Sequence, residues 1–411
     1  MRPTAITPAP PHRLPLVALL TANTVSTIGN LFTTISVPWF VLQITGSATK
    51  TGISGAVTAL SFVASFFGGG LVDRFGFKRV SVAADLTSGI AVALIPLLSH
   101  TVGLAFWQLL FLVFCRALCN TPGTTARLGL LPDLIALADA TRERVNGIYQ
   151  ATLSGASLIG AALTGVFIAR IGARNMLWLD GVSFLFSATL VGFAVPRLTQ
   201  KTTTTERASY GHELVAGWRF LIGDRLLLAM TILASLVNCI GAALLAVILP
   251  VYAKQIYGTA VALGALFAGV SVGTLIGSLL YTAIALRLSR YRVFLIGTGM
   301  LSGVFWFLLP FPALIVAMLA VALRGVATGL IAPLFGVVQQ ERVPAALRGR
   351  VFGTSQAMGT LAVPLGTLLA GVGISTIGLR GTLMSMGSVT LMVSIWCVSD
   401  RALRGMNTHQ A

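Results

Sequence analysis

The chain contains an internal repeat: a 34-residue stretch near its middle recurs near its end. The run RVNGIYQATLSGASLIGAALTGVFIARIGARNML begins at Arg144, and the run RVFGTSQAMGTLAVPLGTLLAGVGISTIGLRGTL begins at Arg350, 206 positions later. Fifteen of the 34 positions are identical. A second match, 212 positions apart, relates segment 22–48 to segment 234–260. Because both offsets are close to half of the 411 residues, the sequence predicts two copies of one structural unit.

The composition indicates that these units lie in a membrane. Apolar residues make up 56% of the chain and charged residues only 9%. Several segments without acid, lysine or arginine exceed the roughly 20 residues that a helix needs to cross a bilayer. We therefore predict an all-α integral membrane protein with twelve transmembrane helices in two six-helix parallel pseudo-repeats. The predicted spans are 14–43, 50–72, 80–99, 103–126, 146–169, 175–196, 226–253, 259–286, 293–309, 313–337, 351–374 and 381–399.

The basic residues predict how the chain is oriented. The formal net charge is +17, and 21 of the 28 lysines and arginines fall on the side of the membrane that holds both termini. Cytoplasmic loops carry such an excess of basic residues, so we expect both termini to be cytoplasmic. The charge is thus explained by topology, and we expect no nucleic-acid partner. The predicted location is a prokaryotic plasma (inner) membrane.

The predicted spans divide the chain into two lobes, a linker and two tails. The lobes are 14–196 and 226–399, the tails are 1–13 and 400–411, and the linker is 197–225. Within the linker, the segment YGHELVAGWRFLIGD predicts an amphipathic helix that lies on the membrane or, alternatively, packs on the lobes. The four cysteines fall inside spans and have no metal-ligand spacing, so we expect no cofactor.

A charged motif follows the second predicted span, in the segment GGGLVDRFGFKRV. It fits the pattern G-x-L-x-D-R-x-G-R-K at Gly69, Leu71, Asp73, Arg74, Gly76 and Lys78. With the spans and the repeat, this motif resembles the major facilitator superfamily and implies its fold. The segments SVPWFVLQITGSA, LLPDL, ELVAGWRFL and QQERVPAALRGRVFG are similar to the drug exporter branch with macrolide efflux and siderophore export proteins.

The resemblance implies a cytoplasmic gate between the lobes. In the family the motif aspartate, here Asp73, contacts the start of the eleventh span and closes the cytoplasmic side. An anion at a helix N-terminus is stabilised by about 0.3–1 kcal/mol. The predicted gate residues are Gly69, Asp73, Arg74, Gly76, Lys78, Gly349 and Arg350. Alternatively, the basic members are ordinary cytoplasmic charges.

Polar residues inside the spans predict a substrate cavity. Arg116 and Arg324 are equivalent in the repeat, and a membrane arginine normally faces a partner or water. They either bind an anionic or carbonyl-rich substrate or bond to a neighbouring helix and fix the lobe geometry. The predicted cavity residues are Asn23, Asn30, Arg116, Asn238 and Arg324. Structural bonding between helices is the alternative for the asparagines.

The acids bear on proton coupling, because amides and arginines do not titrate near neutral pH. Nine of the eleven acids fall in loops, tails or cytoplasmic span ends, and we expect no carboxylate near the middle of a span. If transport is proton-coupled, Asp85 or Asp180 is expected to carry the proton. Structural ion pairs are the alternative role for both.

These features predict a secondary transporter that exports an amphipathic small molecule, such as a drug, an antibiotic or a siderophore-like compound, by alternating access. The sequence leaves proton coupling open. The alternatives are a lysophospholipid flippase or a facilitator without proton coupling, and a non-transporting membrane sensor. No HExxH motif is present in the sequence, so we expect no enzyme. The expected partners are the small molecule and membrane lipids, and we expect a monomer.

Overall fold

The computed structural model describes residues 13–64, 74–196, 210–284, 287–344 and 347–407, and the regular structure within these ranges is entirely helical. The first lobe contains six helices: α1 Leu14–Thr45, α2 Ala48–Ala64, α3 Phe77–Thr101, α4 Phe106–Leu137, α5 Arg142–Ile171 and α6 Ala173–Ala194. The linker forms α7 Tyr210–Gly223. The second lobe contains α8 Arg225–Tyr257, α9 Ala260–Ile284, α10 Arg290–Leu308, α11 Leu314–Arg342, α12 Arg348–Leu361 and α13 Val363–Ser399. A short α14, Arg401–Arg404, follows.

Nine helical stretches in the described residues are long and apolar enough to cross a membrane. The last of them, Arg350–Ser399, has 50 residues, far more than one crossing needs, and its backbone is non-helical at Gly378, where φ is 76°. The described part of α2 has 17 residues, and the 32-residue α4 includes Arg116 and Arg127. The all-α membrane class is confirmed, and the count of twelve spans stays a prediction.

The two lobes pack their helices in equivalent ways. In the first lobe α6 packs on α1 and α3, and α3 also packs on α4. In the second lobe α13 packs on α8 and α10, and α10 also packs on α11. Because each pairing recurs between the counterparts in the repeat, the doubled sequence corresponds to a doubled helical arrangement.

The lobes meet mainly where α2 packs on α12 and α13 and where α5 packs on α9. We call the end of the bundle at which α1 ends and α2 begins the far end. The turns after Thr45, Ile171 and Tyr257 belong to this end, and each is made by a glycine with positive φ. Gly46 and Gly258 adopt the left-handed conformation after α1 and α8, the equivalent helices of the two lobes.

The linker helix α7 packs on α8 and α12. Gly217 lies directly against α12: a Cβ atom built there would lie 2.5 Å from the backbone oxygen of Arg350. On the next turn Leu221 is fully buried, whereas Trp218 and Ile222 are 42% and 52% exposed. The linker helix therefore packs on the second lobe with an apolar edge left exposed, and its placement on the membrane stays a prediction.

Asp224 joins the linker helix to the second lobe. Its Oδ1 accepts hydrogen bonds from the backbone N–H groups of Leu226 and Leu227 at 2.9 and 3.2 Å, and its Oδ2 accepts from Arg342 Nη1 at 3.0 Å. We expect Asp224→Ala to lower the free energy of unfolding by about 1–2 kcal/mol, because an N-cap is lost. Detergent titration of the purified protein measures this. Asp133→Ala, at an exposed position, is the control and is expected to change stability far less.

Candidate functional site

Arg116 lies inside the first lobe, where it is bonded to two other helices. Its Nη2 donates to Asp180 Oδ2 of α6 at 3.0 Å and to Asn30 Oδ1 of α1 at 2.7 Å, and its Nε donates to Asp180 at 3.2 Å. The hydroxyl of Thr33 also donates to Asp180. The Arg116 guanidinium lies over the Phe184 ring, 5.5 Å from its centroid. Asp180 is fully buried, so these bonds replace the water that a carboxylate otherwise requires.

This cluster corrects one expectation about the acids. Asn30 is close to the midpoint of the 32-residue α1, and Asp180 shares its arginine with Asn30. A carboxylate therefore does lie near the middle of a span. Gly29 permits this, because a Cβ atom at that position would lie 2.6 Å from Asp180 Oδ1. The sequence analysis expected no carboxylate there, because the contact depends on how α6 packs against α1.

A second buried ion pair lies in the same lobe. Arg127 Nη1 donates to Asp85 Oδ1 at 2.6 Å, and the Ser187 hydroxyl donates to Asp85 Oδ2 at 2.6 Å. Arg127 Nη2 donates to the Ser26 oxygen at 3.4 Å. Arg127 and Asp85 are 3% and 1% exposed. The fourth predicted span, 103–126, left Arg127 outside the membrane. This is wrong, because α4 extends to Leu137 and buries that side chain.

Both candidate proton carriers are therefore in ion pairs. Asp85 is paired with Arg127, and Asp180 with Arg116. This is the structural role that the sequence analysis left open for the two acids. A proton could bind either carboxylate only after its arginine moved away or was otherwise compensated. Proton coupling through them stays a prediction.

Arg324 of α11 is in a different environment from its equivalent, Arg116. It is 7% exposed, and within the described residues its guanidinium has no hydrogen bond or ion pair. One of its Nη atoms packs against the bare backbone of Gly241 on α8. Arg324 lines a cavity enclosed by α8, α10, α11 and α13. The other lining residues are mainly apolar, among them Leu233, Val237, Ile240, Leu301, Phe305 and Thr390.

The two remaining cavity candidates lie apart from each other. Asn23 of α1 is 5% exposed and lies beside Tyr149 of α5, inside the first lobe. Asn238 of α8 is exposed, and its Nδ2 lies next to Gly359 of α12. The structure thus places Asn30 with Arg116, whereas Asn23, Asn238 and Arg324 occupy separate positions. Their role in substrate binding stays a prediction.

The gate candidates lie only partly within the described residues. Gly69 and Asp73 fall outside the described ranges. Lys78 Nζ donates to the backbone oxygen of Val195 in the same lobe at 2.5 Å, and Gly76 begins α3 with a φ of 81°. The Arg74 guanidinium lies 5.4 Å from the centroid of the Phe75 ring. Gly349 and Arg350 belong to the first turn of α12, which packs on the linker helix. The gate contact therefore stays a prediction.

Contacts between the lobes concentrate at the far end. Lys254 Nζ donates to the backbone oxygen of Leu42 at 2.7 Å, and the hydroxyls of Thr49 and Ser375 lie 2.7 Å apart. Gly165 of α5 meets Gly264 of α9 so closely that a Cβ atom on Gly165 would lie 2.7 Å from the Gly264 Cα. The lobe-to-lobe side-chain hydrogen bonds in which both partners are described residues, made by Thr49 and Lys254, lie at this end. The far end of the bundle is closed.

Comparison with protein families agrees with this two-lobed architecture. The sequence profile of the Major Facilitator Superfamily matches residues 19–258 and again residues 231–407. The chain belongs to the major facilitator superfamily. Solved structures agree on the fold of this facilitator. A variant of the nucleoside transporter NupG superposes with a TM-score of 0.81 at 10% identity, covering 93% of this chain and 98% of that one. An inward-facing bacterial homologue of the lysosomal transporter Spinster has a TM-score of 0.73 at 14% identity, covering 98% and 100%.

Sequence relatives of this facilitator extend over almost the whole chain. The multidrug efflux pump Tap of Mycobacterium tuberculosis is 30% identical over 404 residues, which are 96% of each protein. Macrolide efflux protein A of Streptococcus pyogenes is 20% identical over 96% of this chain and 98% of its own. The enterobactin exporter EntS of Citrobacter koseri is 26% identical over 82% of this chain and 80% of its own. The resemblance to this exporter branch is confirmed.

The sequence analysis missed four residues that complete the buried clusters of the facilitator: Thr33, Arg127, Phe184 and Ser187. Depth along the helices is a signal that could have suggested the Arg116–Asp180 pair, although not its geometry. Arg116 is ten residues from the far-end start of α4, and Asp180 is seven residues from the far-end start of α6, or about 15 and 11 Å. Two opposite charges at similar depth in one lobe predict a pair.

Proposed function

We propose that this facilitator exports an amphipathic small molecule, such as a drug, an antibiotic or a siderophore-like compound, across a prokaryotic plasma membrane. The observation that carries the proposal is its 30% identity to a multidrug efflux pump over 96% of both chains. Similarity to a macrolide efflux protein and an enterobactin exporter supports the same direction of transport. Transport, and no catalysed reaction, is the proposed activity.

The closed far end supports alternating access as the mechanism. With both termini cytoplasmic, as the basic residues predict, the far end is the outer side. Closure there by Lys254, Thr49 and the Gly165–Gly264 contact leaves the opposite side for substrate entry, as an exporter requires. The two lobes would then rock about a central site, opening the outer side while the cytoplasmic gate closes. We propose a monomer in contact with membrane lipids as the working unit.

The ion pairs of Asp85 and Asp180 determine how much free energy proton coupling would require. If protons drive export, Asp85 or Asp180 releases its arginine when it is protonated and regains it when substrate has left. Each protonation step costs free energy, because neutralising a buried carboxylate leaves its arginine charged and unpaired inside the lobe. A facilitator without proton coupling needs no such step.

Reconstitution into liposomes tests the function. The purified protein is assayed with a macrolide, a catecholate siderophore and fluorescent lysophosphatidylcholine, each with and without an imposed pH gradient. We expect protein-dependent movement of the macrolide or the siderophore, and acceleration by the gradient only if transport is proton-coupled. Movement of lysophosphatidylcholine alone would favour the flippase alternative. Rates equal to those of protein-free liposomes for all three compounds would contradict the proposal.

A further inference from the structure

The internal repeat identifies what Arg324 lacks. The 206-position offset that relates Gly172 to Gly378 places Met386 where the first lobe has Asp180. The 212-position offset places Ala242 where the first lobe has Asn30. The second lobe therefore keeps the arginine and has lost both the carboxylate and the amide oxygen that bind Arg116.

The aromatic contact is lost in the same way. Phe184, whose ring lies 5.5 Å from the Arg116 guanidinium, corresponds to Thr390 in the repeat. Thr390 is much smaller, and it lines the cavity beside Arg324. Its hydroxyl donates to the backbone oxygens of Met386 and Gly387 at 2.9 Å, and as a neutral group it supplies no counter-charge to the arginine. Where the first lobe has a filled ion-pair cluster, the second lobe has a cavity and a cation.

A buried arginine without a counter-ion is costly in a membrane, and such an arginine normally faces a partner or water. A ligand that supplies an anionic oxygen removes this cost. The acids buried in the spans of the first lobe are not available to bind a cationic ligand, because Asp85 and Asp180 are each bonded to an arginine. The cavity has a volume of about 30 Å³, which is room for a group the size of a carboxylate. The hydrophobic body of an amphipath would lie outside it, along apolar side chains such as Leu233 and Phe305.

We propose that the Arg324 cavity binds the anionic oxygen group of an amphipathic ligand, a carboxylate, catecholate or phosphate, with the apolar body against α8 and α10. The ligand takes the place that Asp180 and Asn30 hold beside Arg116. That the bound anion is the transported compound rests on the proposed export function. Binding of an anion at Arg324 does not depend on export. An anionic lipid headgroup offers the same chemistry as an acidic substrate.

Equilibrium dialysis with matched probes tests the site. Protein in phosphatidylcholine nanodiscs is dialysed against 2-naphthoate, neutral 2-naphthamide and cationic 2-naphthylmethylammonium. We expect naphthoate to bind at least about tenfold more tightly than the other two. Arg324→Gln is expected to remove this preference while leaving the amide affinity unchanged, which also shows that the variant is folded. Arg380→Gln, an exposed arginine of the far end, is the control for net charge and is expected to keep the preference.

A second variant tests the same idea without touching the arginine. Met386→Asp restores the missing counter-ion, and we expect it to weaken naphthoate binding about tenfold at an unchanged or raised melting temperature. Equal affinity for the three probes, or a preference that survives both Arg324→Gln and Met386→Asp, would overturn the proposal.

Lipid composition separates the two sources of the anion. If a headgroup occupies the site, nanodiscs with phosphatidylglycerol are expected to weaken naphthoate binding in the wild type but not in Arg324→Gln. If phosphatidylglycerol leaves the naphthoate affinity of the wild type unchanged, the site binds a small acidic amphipath and not a lipid headgroup. Arg324-dependent binding without any export in liposomes would retain the anion site and overturn the exporter proposal alone. Export without a preference for naphthoate would retain the exporter proposal and overturn the anion site alone.

Discussion

Asp180→Asn is expected to lower the free energy of unfolding by about 3–5 kcal/mol, because it leaves the Arg116 charge buried without a counter-ion. Asp180 is fully buried and accepts bonds from α1 and α4, so water does not readily replace the lost charge. Detergent titration of the purified protein, followed by circular dichroism, measures the change. This is the largest stability effect that we predict for a single substitution.

Two controls make that prediction specific. The pair Arg290–Glu341 is partly exposed, and Glu341→Gln is expected to cost less than about 1 kcal/mol. The double variant Arg116→Met with Asp180→Leu removes both charges and is expected to recover most of the stability, since a buried pair contributes little beyond an apolar substitute. A single Asp180→Asn variant as stable as the wild type would show that the pair does not hold the first lobe together.

The same variants separate a structural from a coupling role. If Asp180 only organises the lobe, the double variant is expected to export substrate at a rate proportional to its folded fraction. If Asp180 carries the proton, the double variant is expected to be stable but insensitive to a pH gradient. The outcome therefore shows whether Asp180, which already has an arginine partner, is structural or carries the proton.

Gly165→Ala is expected to reduce the initial rate of export at least about fivefold. The added methyl would lie 2.7 Å from the Gly264 Cα and 3.0 Å from the Ala260 oxygen, too close for the lobes to meet at the far end. Overpacking of this kind costs about 1–3 kcal/mol, which corresponds to a shift of about 5- to 150-fold against the closed state. Uptake into inverted vesicles measures the rate.

Accessibility gives an independent measure of the same change. A cysteine placed at Thr49 is expected to react faster with a membrane-impermeant maleimide in Gly165→Ala than in the wild type, because the far end is open more often. Gly155→Ala, on the same helix, is the matched control, since a Cβ atom there has no neighbour within 4 Å. Equal rates of export and labelling for the two alanine variants would show that the Gly165–Gly264 contact does not limit closure.

The doubled architecture could be predicted from sequence because each lobe repeats its apolar spans and glycines at a fixed offset. The repeat relates Gly172 to Gly378, and both glycines have positive φ at the far end of their lobes. Long apolar segments and the basic residues then predict the membrane class and the orientation. These features depend on composition and spacing along the chain, which the sequence contains directly.

The partners of the buried charges could not be predicted in the same way. Arg116 and Asp180 are 64 residues apart, and their contact depends on how α4 and α6 rotate and pack against α1. Arg127 was misassigned because α4 continues past residue 126, through Pro132, to Leu137. Helix ends and rotation are set by tertiary packing, which outweighs local hydropathy.

The departures between the lobes are more informative than their similarity. Arg116 and Arg324 are equivalent by sequence, yet the first is bonded to Asp180 and the second faces a cavity. The sequence alone contains the substitution of Asp180 by Met386, but its meaning becomes clear only when the structure shows that Asp180 binds the arginine. A comparison of ion-pair partners across an internal repeat therefore identifies candidate ligand sites.

One cross-linking measurement tests alternating access most directly. The hydroxyls of Thr49 and Ser375 lie 2.7 Å apart on opposite lobes, so cysteines at both positions are close enough for a disulfide at the closed far end. We predict that the oxidised double variant binds substrate but does not export it, and that reduction with dithiothreitol restores export. Undiminished export by fully cross-linked protein would contradict the account, because the far end would then not need to open.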